Sequence, residues 1–257
     1  MTILKNISKK ILILLFWIWV WLIIALIVDN ELLIPGPDKV FLRLLELMLT
    51  SAFWTSIFTS LYRVMLGIIV AIVLGVALGY LSYKFSIVHD VLSPVMTIAR
   101  ATPVASFIIL IALFIGAITV PTIITIIMVL PIIWINTYTG FNSINKDLKE
   151  VCSIYKLTGK QQLKALYLPA IMPHFTSAVL SSIGLGWKAG IAAEILFPPL
   201  KSIGKAIYES NWLLKTTDLF AWTLAVILLS ILFEALAKLV IKLTSRKNSG
   251  GKQNENN

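Results

Sequence analysis

Residues 142–173, NSINKDLKEVCSIYKLTGKQQLKALYLPAIMP, form a polar, lysine-studded segment between two apolar runs of membrane length. Leu148, Val151 and Tyr155 fall at i, i+3 and i+7, the spacing of a helix with one apolar face. A loop between two spans has no core of its own to bury such a stripe, so the stripe points to a partner that covers it. The flanking runs decide the fold class. Apolar stretches of about 18 residues or more recur along the 257-residue chain. Each is about 27 Å long as a helix at ~1.5 Å per residue, close to the ~30 Å hydrocarbon core of a bilayer. Helices are expected because lipid offers no partner to backbone N–H and C=O groups. The chain is 58% hydrophobic with a mean hydropathy of +0.92, against roughly 45–50% apolar residues in soluble domains. The fold class is all-α, a polytopic membrane protein.

Six spans are the simplest count: about 11–28, 57–83, 104–117, 119–141, 171–196 and 219–241. An even count puts both ends on one side. Counting Lys and Arg by side, the N-terminus, loop 84–103, loop 142–168 and the tail from Lys238 hold fifteen. The opposite side holds six: Lys39, Arg43, Arg63, Lys201, Lys205 and Lys215. The bias places both termini and the 142–168 loop in the cytosol. It also accounts for the net charge of +10 without nucleic acid, since no basic face with interleaved aromatics is present. The organisation read is a cytosolic N-terminus (1–10), one transmembrane domain (11–244) and a polar, disordered cytosolic tail (245–257). The N-terminal run is too long for a signal-peptide core and lacks a small-residue cleavage site, so it reads as an uncleaved first span.

On the opposite side, Pro35-Gly36-Pro37 makes a turn. Leu42, Leu45 and Leu49 then share a face that suits an interfacial helix. Residues 197–218, opened by Pro198-Pro199, form the other external loop. The single cysteine, Cys152, excludes an intramolecular disulfide, and His89 and His174 stand too far apart in sequence to suggest a metal site.

The polar loop carries Glu150, and Leu166, Leu168 and Pro169 follow at its far end, the proline lying 19 residues after the glutamate. Here the sequence resembles the membrane-spanning permeases of bacterial ATP-binding-cassette importers, in the nitrate/sulfonate/taurine branch. Their cytosolic signature begins Glu-Ala-Ala and closes with aliphatic-x-Leu-Pro at this spacing. Pro94, Arg100, Pro103 and Gly116 around span three follow the same branch. So do Pro131, Asn136 and Gly140 in span four, and SSIGLGWKAGIAAEIL (181–196) in span five. The likeness extends over about 57–243. Two departures stand out. Val151-Cys152 replaces the Ala-Ala pair, and Lys156 replaces the glycine at the turn, which leaves Gly159 to serve it.

The resemblance implies a coupling helix between spans four and five that docks on an ATPase subunit, with Leu148, Glu150, Val151, Tyr155, Gly159, Leu166, Leu168 and Pro169 as coupling residues. It implies further a second permease copy in a homodimer, two ATPase subunits and an extracytoplasmic substrate-binding protein, in the bacterial plasma membrane. ATP and magnesium would be held by the ATPase, so no cofactor is expected on this chain. The solute expected is nitrate-, sulfonate- or taurine-like, or resembles a thiamine precursor.

Span five carries the candidate translocation path: Gly184, Gly186, Trp187, Lys188, Gly190 and Glu194, with Pro103 at the entrance to span three. Small residues let helix backbones approach closely, and Gly75 and Gly79 repeat this in span two. A charge at membrane depth costs at least ~2.5–3.5 kcal/mol at a helix centre and marks pairing or function. Lys188 and Glu194 are six residues apart, roughly 240° around a helix, so each needs a different partner. Lys188 is either the charge that attracts an anionic solute or a side chain that snorkels or pairs with a neighbouring span. Arg63 and Arg100 read as interface anchors. Trp17, Trp19, Trp21, Trp54, Trp212 and Trp222 read as aromatic belts or lipid-facing packing.

No GxxxxGK[ST] phosphate loop, GxSxG or HExxH is present. The alternative reading, an ion-coupled secondary transporter, has only Glu194 and Glu234 as intramembrane acids and shows no inverted repeat. A membrane enzyme would need a His/Asp/Glu cluster that is missing.

Overall fold

The computed structural model describes residues 2–250, and among these it contains helices and no strand. The helices are α1 (Thr2–Val28), α2 (Pro37–Met48), α3 (Ser51–Lys84), α4 (Ser86–Ala101), α5 (Val104–Ala112) and α6 (Val120–Asn142). They continue as α7 (Lys146–Ile154), α8 (Gly159–Gln162), a π-turn (Leu163–Tyr167), α9 (Leu168–Leu196), α10 (Ile203–Trp212) and α11 (Thr216–Gly250).

The centre of the bundle is the trio α3, α6 and α9, and glycines set how closely they pack. A methyl group on Gly67 would meet the backbone oxygen of Thr122 at 2.7 Å; on Gly75 it would meet Ile133 Cβ at 2.7 Å, and on Gly79 Thr137 Cβ at 2.7 Å. The matched positions rise together along both helices, so α3 and α6 run parallel. Gly186 lies against Ile68 and Val129, and Gly190 against Val64 and Thr125, so α9 runs antiparallel to both. Here the small residues replace the hydrophobic drive that lipid removes, by letting van der Waals contact reach the backbone.

Parallel α3 and α6 require a return crossing between them, and α4 with α5 supplies it. The two helices meet at Thr102-Pro103 with a bend of 103°. On α4, His89 stacks on Trp134 and Tyr138 with ring centroids 5.7 and 4.3 Å apart. On α5, Ile108 packs with Val120, Ile124, Ala189 and Ala193. Span three is therefore not the straight 104–117 helix that hydropathy suggests. Val104–Ala112 is only its last part, about 14 Å long at ~1.5 Å per residue, and residues 86–101, expected as loop, are its first. Pro103 has no N–H to donate and disfavours helical backbone at Thr102, which breaks the run there. Arg100 thus leaves the loop tally, and the charge bias becomes fourteen to six. Among the described residues, with the bent pair as one span, the candidate crossings number up to six.

At one end of the bundle α2 tucks Val40 and Leu44 inward and leaves Leu42, Leu45 and Leu49 exposed, as the amphipathic pattern suggests. Arg43 of α2 forms an ion pair with Asp218 at the start of α11. The 197–218 segment, read as a loop, contains α10, capped by the Ser202 hydroxyl accepting from the Lys205 N–H at 3.0 Å. Trp222 is buried against Phe53 rather than facing lipid, whereas Trp17, Trp19, Trp54 and Trp212 are exposed. The backbone of α11 stays helical through Gly250, where a disordered tail from 245 was expected; residues 251–257 of that tail lie outside the described residues.

Candidate functional site: the α7 loop and span five

The loop between α6 and α9 is built by caps. Asn145 begins α7, its side-chain oxygen accepting from the Asp147 N–H at 2.9 Å. Lys156 ends it, with a φ of 49°. The Lys156 N–H donates to Ser153 O and the Leu157 N–H to Cys152 O, both at 3.0 Å, the paired bonds of a Schellman stop. Leu157 completes that stop by packing near Cys152, with Ile144, Leu166, Tyr167 and Ala170 around them. The turn thus falls at the very position where the signature has glycine. Gly159 does not serve it: no glycine among the described residues has a positive φ, and Gly159 instead opens α8 behind the Thr158 cap.

This small interior uses only one side of α7. Leu148, Val151, Ile154 and Tyr155 are 52, 45, 74 and 75% exposed. Glu150 is exposed beside them. Leu166 differs from the rest of the predicted coupling set, being buried inside the loop, while Leu168 and Pro169 are exposed at the start of α9. The π-turn lies directly before Pro169, where the Leu168 N–H reaches back to Leu163 O. Proline offers no N–H to continue the ladder, and the helix widens at that step. Lys149, on the inner flank of α7, donates to the Tyr83 hydroxyl at 2.9 Å and ties the loop to the end of α3.

Span five divides the predicted path residues into two groups. Gly186, Trp187, Gly190 and Glu194 are buried within the subunit and do not line an open surface. Trp187 is a core residue, its indole N–H donating to Val226 O at 3.2 Å. Lys188 is exposed on the other face with Ser181 and Leu185; Gly184 is half-buried there, with open space where a side chain would stand. Lys188 comes close enough to Glu234 of α11 for their charges to interact. Pro103 is exposed at the α4–α5 bend.

Glu194 finds its partner on α3. Arg63 Nη1 donates to its Oε1 at 3.2 Å, and Ser60 Oγ to its Oε2 at 2.6 Å. The Gly204 N–H donates to Oε2 at 3.2 Å, and the Ile203 N–H to Ser60 Oγ at 2.9 Å. Arg63 Nη2 reaches Leu200 O at 3.3 Å. Glu194 is fully buried and Arg63 13% exposed by side chain. A methyl on Gly204 would lie 2.2 Å from Glu194 Cβ, so only glycine lets α10 approach this closely. The joint welds α3, α9 and α10 into one unit. Sequence reasoning read Arg63 as an interface anchor and missed Ser60 and Gly204. The signal available was that Arg63 and Glu194 are the lone base and the lone acid near the same ends of spans two and five.

A family model described as binding-protein-dependent transport system inner membrane component matches residues 71–248. The chain is 33% identical over 78 residues to the bicarbonate transport system permease protein CmpB of Synechococcus elongatus, covering 30% of this chain and 28% of that one. It is 32% identical over 106 residues to the nitrate import permease protein NrtB of the same species (41 and 38% covered). It is 25% identical over 118 residues to a putative aliphatic sulfonates transport permease protein, SsuC, of Bacillus subtilis (45 and 40% covered). The matched stretches thus span well under half the length of these curated relatives. Among solved structures, the MetNI methionine ABC transporter in an inward-facing conformation aligns with a TM-score of 0.63 at 15% identity, covering 75% of this chain and 95% of that one. A bacterial ABC transporter involved in the import of the acidic polysaccharide alginate aligns at 0.61 and 15% identity, covering 96 and 99%. At such identities these two likenesses concern the fold.

Proposed function

This chain belongs to the binding-protein-dependent transport system inner membrane component family, and from that premise we propose that it is the membrane-spanning permease subunit of an ATP-driven importer of a small solute. The family is one of transport permeases rather than enzymes, and the chain is a multi-pass membrane protein. Two copies line one pathway in the plasma membrane, with both termini and the α7 loop in the cytosol. Each copy docks one ATPase subunit, which holds ATP and magnesium, and an extracytoplasmic binding protein delivers the solute to the α2/α10 side. ATP binding draws the two α7 helices together and favours the outward-open packing; hydrolysis returns it inward. The permease contributes a difference in packing energy between two states.

The observation that carries this reading is the apolar face of α7, capped at both ends yet uncovered at Leu148, Val151, Ile154 and Tyr155. A ~9-residue helix is too short to be stable by itself in water, so its presentation on a fixed loop fits a docking element. Co-purification with the cognate ATPase subunit tests the assignment. Val151→Asp should reduce ATPase recovery by about tenfold or more, since it buries a charge in the proposed interface. The permease itself should be extracted at wild-type levels, because Val151 is exposed. Full ATPase recovery with Val151→Asp and Leu148→Asp combined would sink the docking role.

The solute we propose is a small anion. The relatives' names specify bicarbonate, nitrate and sulfonates, and Lys188 offers a positive charge on the open face of α9. Uptake by Lys188→Ala should fall about tenfold while assembly with the ATPase is retained. Unchanged uptake of every anion transported by the wild type removes Lys188 from the path.

A further inference from the structure

At the α7 end of the bundle, the last turn of α3, the end of α6 and the α8–π-turn segment enclose a cavity of about 480 Å³. Tyr80, Tyr83, Tyr167, Lys84, Gln162 and Phe141 line it, and none of its lining residues is acidic. Lys149 stands beside it, its ammonium 2.9 Å from the Tyr83 hydroxyl and 5.2 Å from that ring's centre. Lys84 rests its ammonium 5.3 Å from the Phe85 ring centre. Among the described residues neither lysine has a carboxylate within ion-pair distance. Two ammonium groups and three phenol hydroxyls therefore gather about a space with no counter-charge. The walls are held in place by rings: Tyr83 stacks on Phe141 at 4.9 Å, and Phe141 meets Tyr167 at 5.9 Å.

Depth decides what kind of anion fits. Lys84 is the last residue of α3, and Tyr80 and Leu81 on the turn before it are exposed, as is Leu163 of the π-turn. Tyrosine and lysine at the end of a span mark the headgroup level of a bilayer, and basic pockets between spans at that level take anionic headgroups. The exposed leucines offer apolar surface where acyl chains begin. We propose that this cavity binds the headgroup phosphate of an anionic phospholipid from the leaflet on the α7 side. Bound there, the lipid bridges α3 to the loop that carries α7, through Lys84 on one wall and Lys149 and Tyr167 on the other. The site does not depend on the solute or on the identity of the subunit that docks at α7.

Native mass spectrometry of the full-length protein released from phosphatidylcholine nanodiscs containing phosphatidylglycerol tests this. Wild type should retain phosphatidylglycerol in preference to phosphatidylcholine. Lys84→Ala with Lys149→Ala should lower that retention by about tenfold or more, each lysine near the surface contributing to the attraction. Arginine at both positions should restore it, and Lys201→Ala with Lys205→Ala at the opposite end should leave it unchanged. Equal retention by the double alanine variant, or no preference over phosphatidylcholine, overturns the site. Displacement of the lipid by millimolar inorganic phosphate also overturns it, reassigning the cavity to a soluble anion. If the double variant does not purify, Tyr83→Phe, which removes one hydroxyl at nearly constant volume, should still weaken retention several-fold; no change there is equally fatal.

Discussion

Glu194 is fully enclosed at the α10 end of the bundle, with Ser60, Arg63 and Gly204 satisfying its carboxylate, while at the α7 end a polar helix leaves four large apolar side chains uncovered. Both regions place charge and polarity beside the membrane. One closes every bond within the subunit; the other closes only its caps and a six-residue interior. A group buried with its partners resists rearrangement, because breaking it exposes an uncompensated charge to low dielectric. An uncovered apolar face invites association, because water gains when it is covered. The α10 end is therefore built as a rigid joint, and the α7 end presents an uncovered apolar surface. What joins them is α9, which begins beside the α7 loop and carries Glu194 in its last turn.

The strongest blow to this contrast falls on the joint. Glu194→Ala leaves Arg63 buried without its counter-charge and should cost about 3–5 kcal/mol, seen as a large drop in thermal stability of the purified protein. Wild-type stability in that variant would mean the joint is dispensable. Gly204→Ala should cost about 1–3 kcal/mol or more by overpacking against Glu194, without altering any charge. An alanine accepted there at no cost would show that α10 is free to move away.

At the α7 end the expected effects are smaller and confined to the loop. Leu166→Ala removes one of the two buried aliphatic side chains in the loop's interior and should cost about 2 kcal/mol, the low end of the range for Leu→Ala because the pocket is shallow. Its signature should be faster amide exchange in 146–166 with α10 unaffected. Lys156→Gly works in the opposite direction. A non-glycine residue in the left-handed region costs roughly 1–2 kcal/mol, partly offset by the ~0.5–1 kcal/mol entropic cost of glycine. A gain of up to about 1 kcal/mol in loop protection should follow; a loss would show that the lysine side chain holds the turn by a contact of its own.

Much of this was legible in the residues. The exposed stripe of α7 follows from the i, i+3, i+7 spacing, whereas its stop falls at Lys156 and not at Gly159, where the residues put it. Gly75 and Gly79 marked the α3 face that meets α6. Other features were not legible. Hydropathy placed span three at 104–117 because α4, with His89, Asp90, Ser93 and Arg100, has a mixed composition that reads as loop. The burial of Gly186, Trp187 and Gly190 against neighbouring helices was not legible either, because a small-residue face and an aromatic do not declare whether they meet a neighbour or a cavity.

The sequence by itself determined that the chain crosses a membrane as helices, and where an amphipathic helix interrupts the apolar runs. Those properties depend on local composition and on the period of a helix, and neither needs a partner. Only the tertiary structure decided that Glu194 pairs with Arg63, 131 residues away. It alone showed that α4 and α5 bend by 103° to return the chain, and that Lys188 stays open while Trp187 is enclosed. These are matters of which face meets which helix, and in a bundle that is fixed by three-dimensional approach: a glycine at the right depth, and a carboxylate brought within reach of the one guanidinium that can satisfy it.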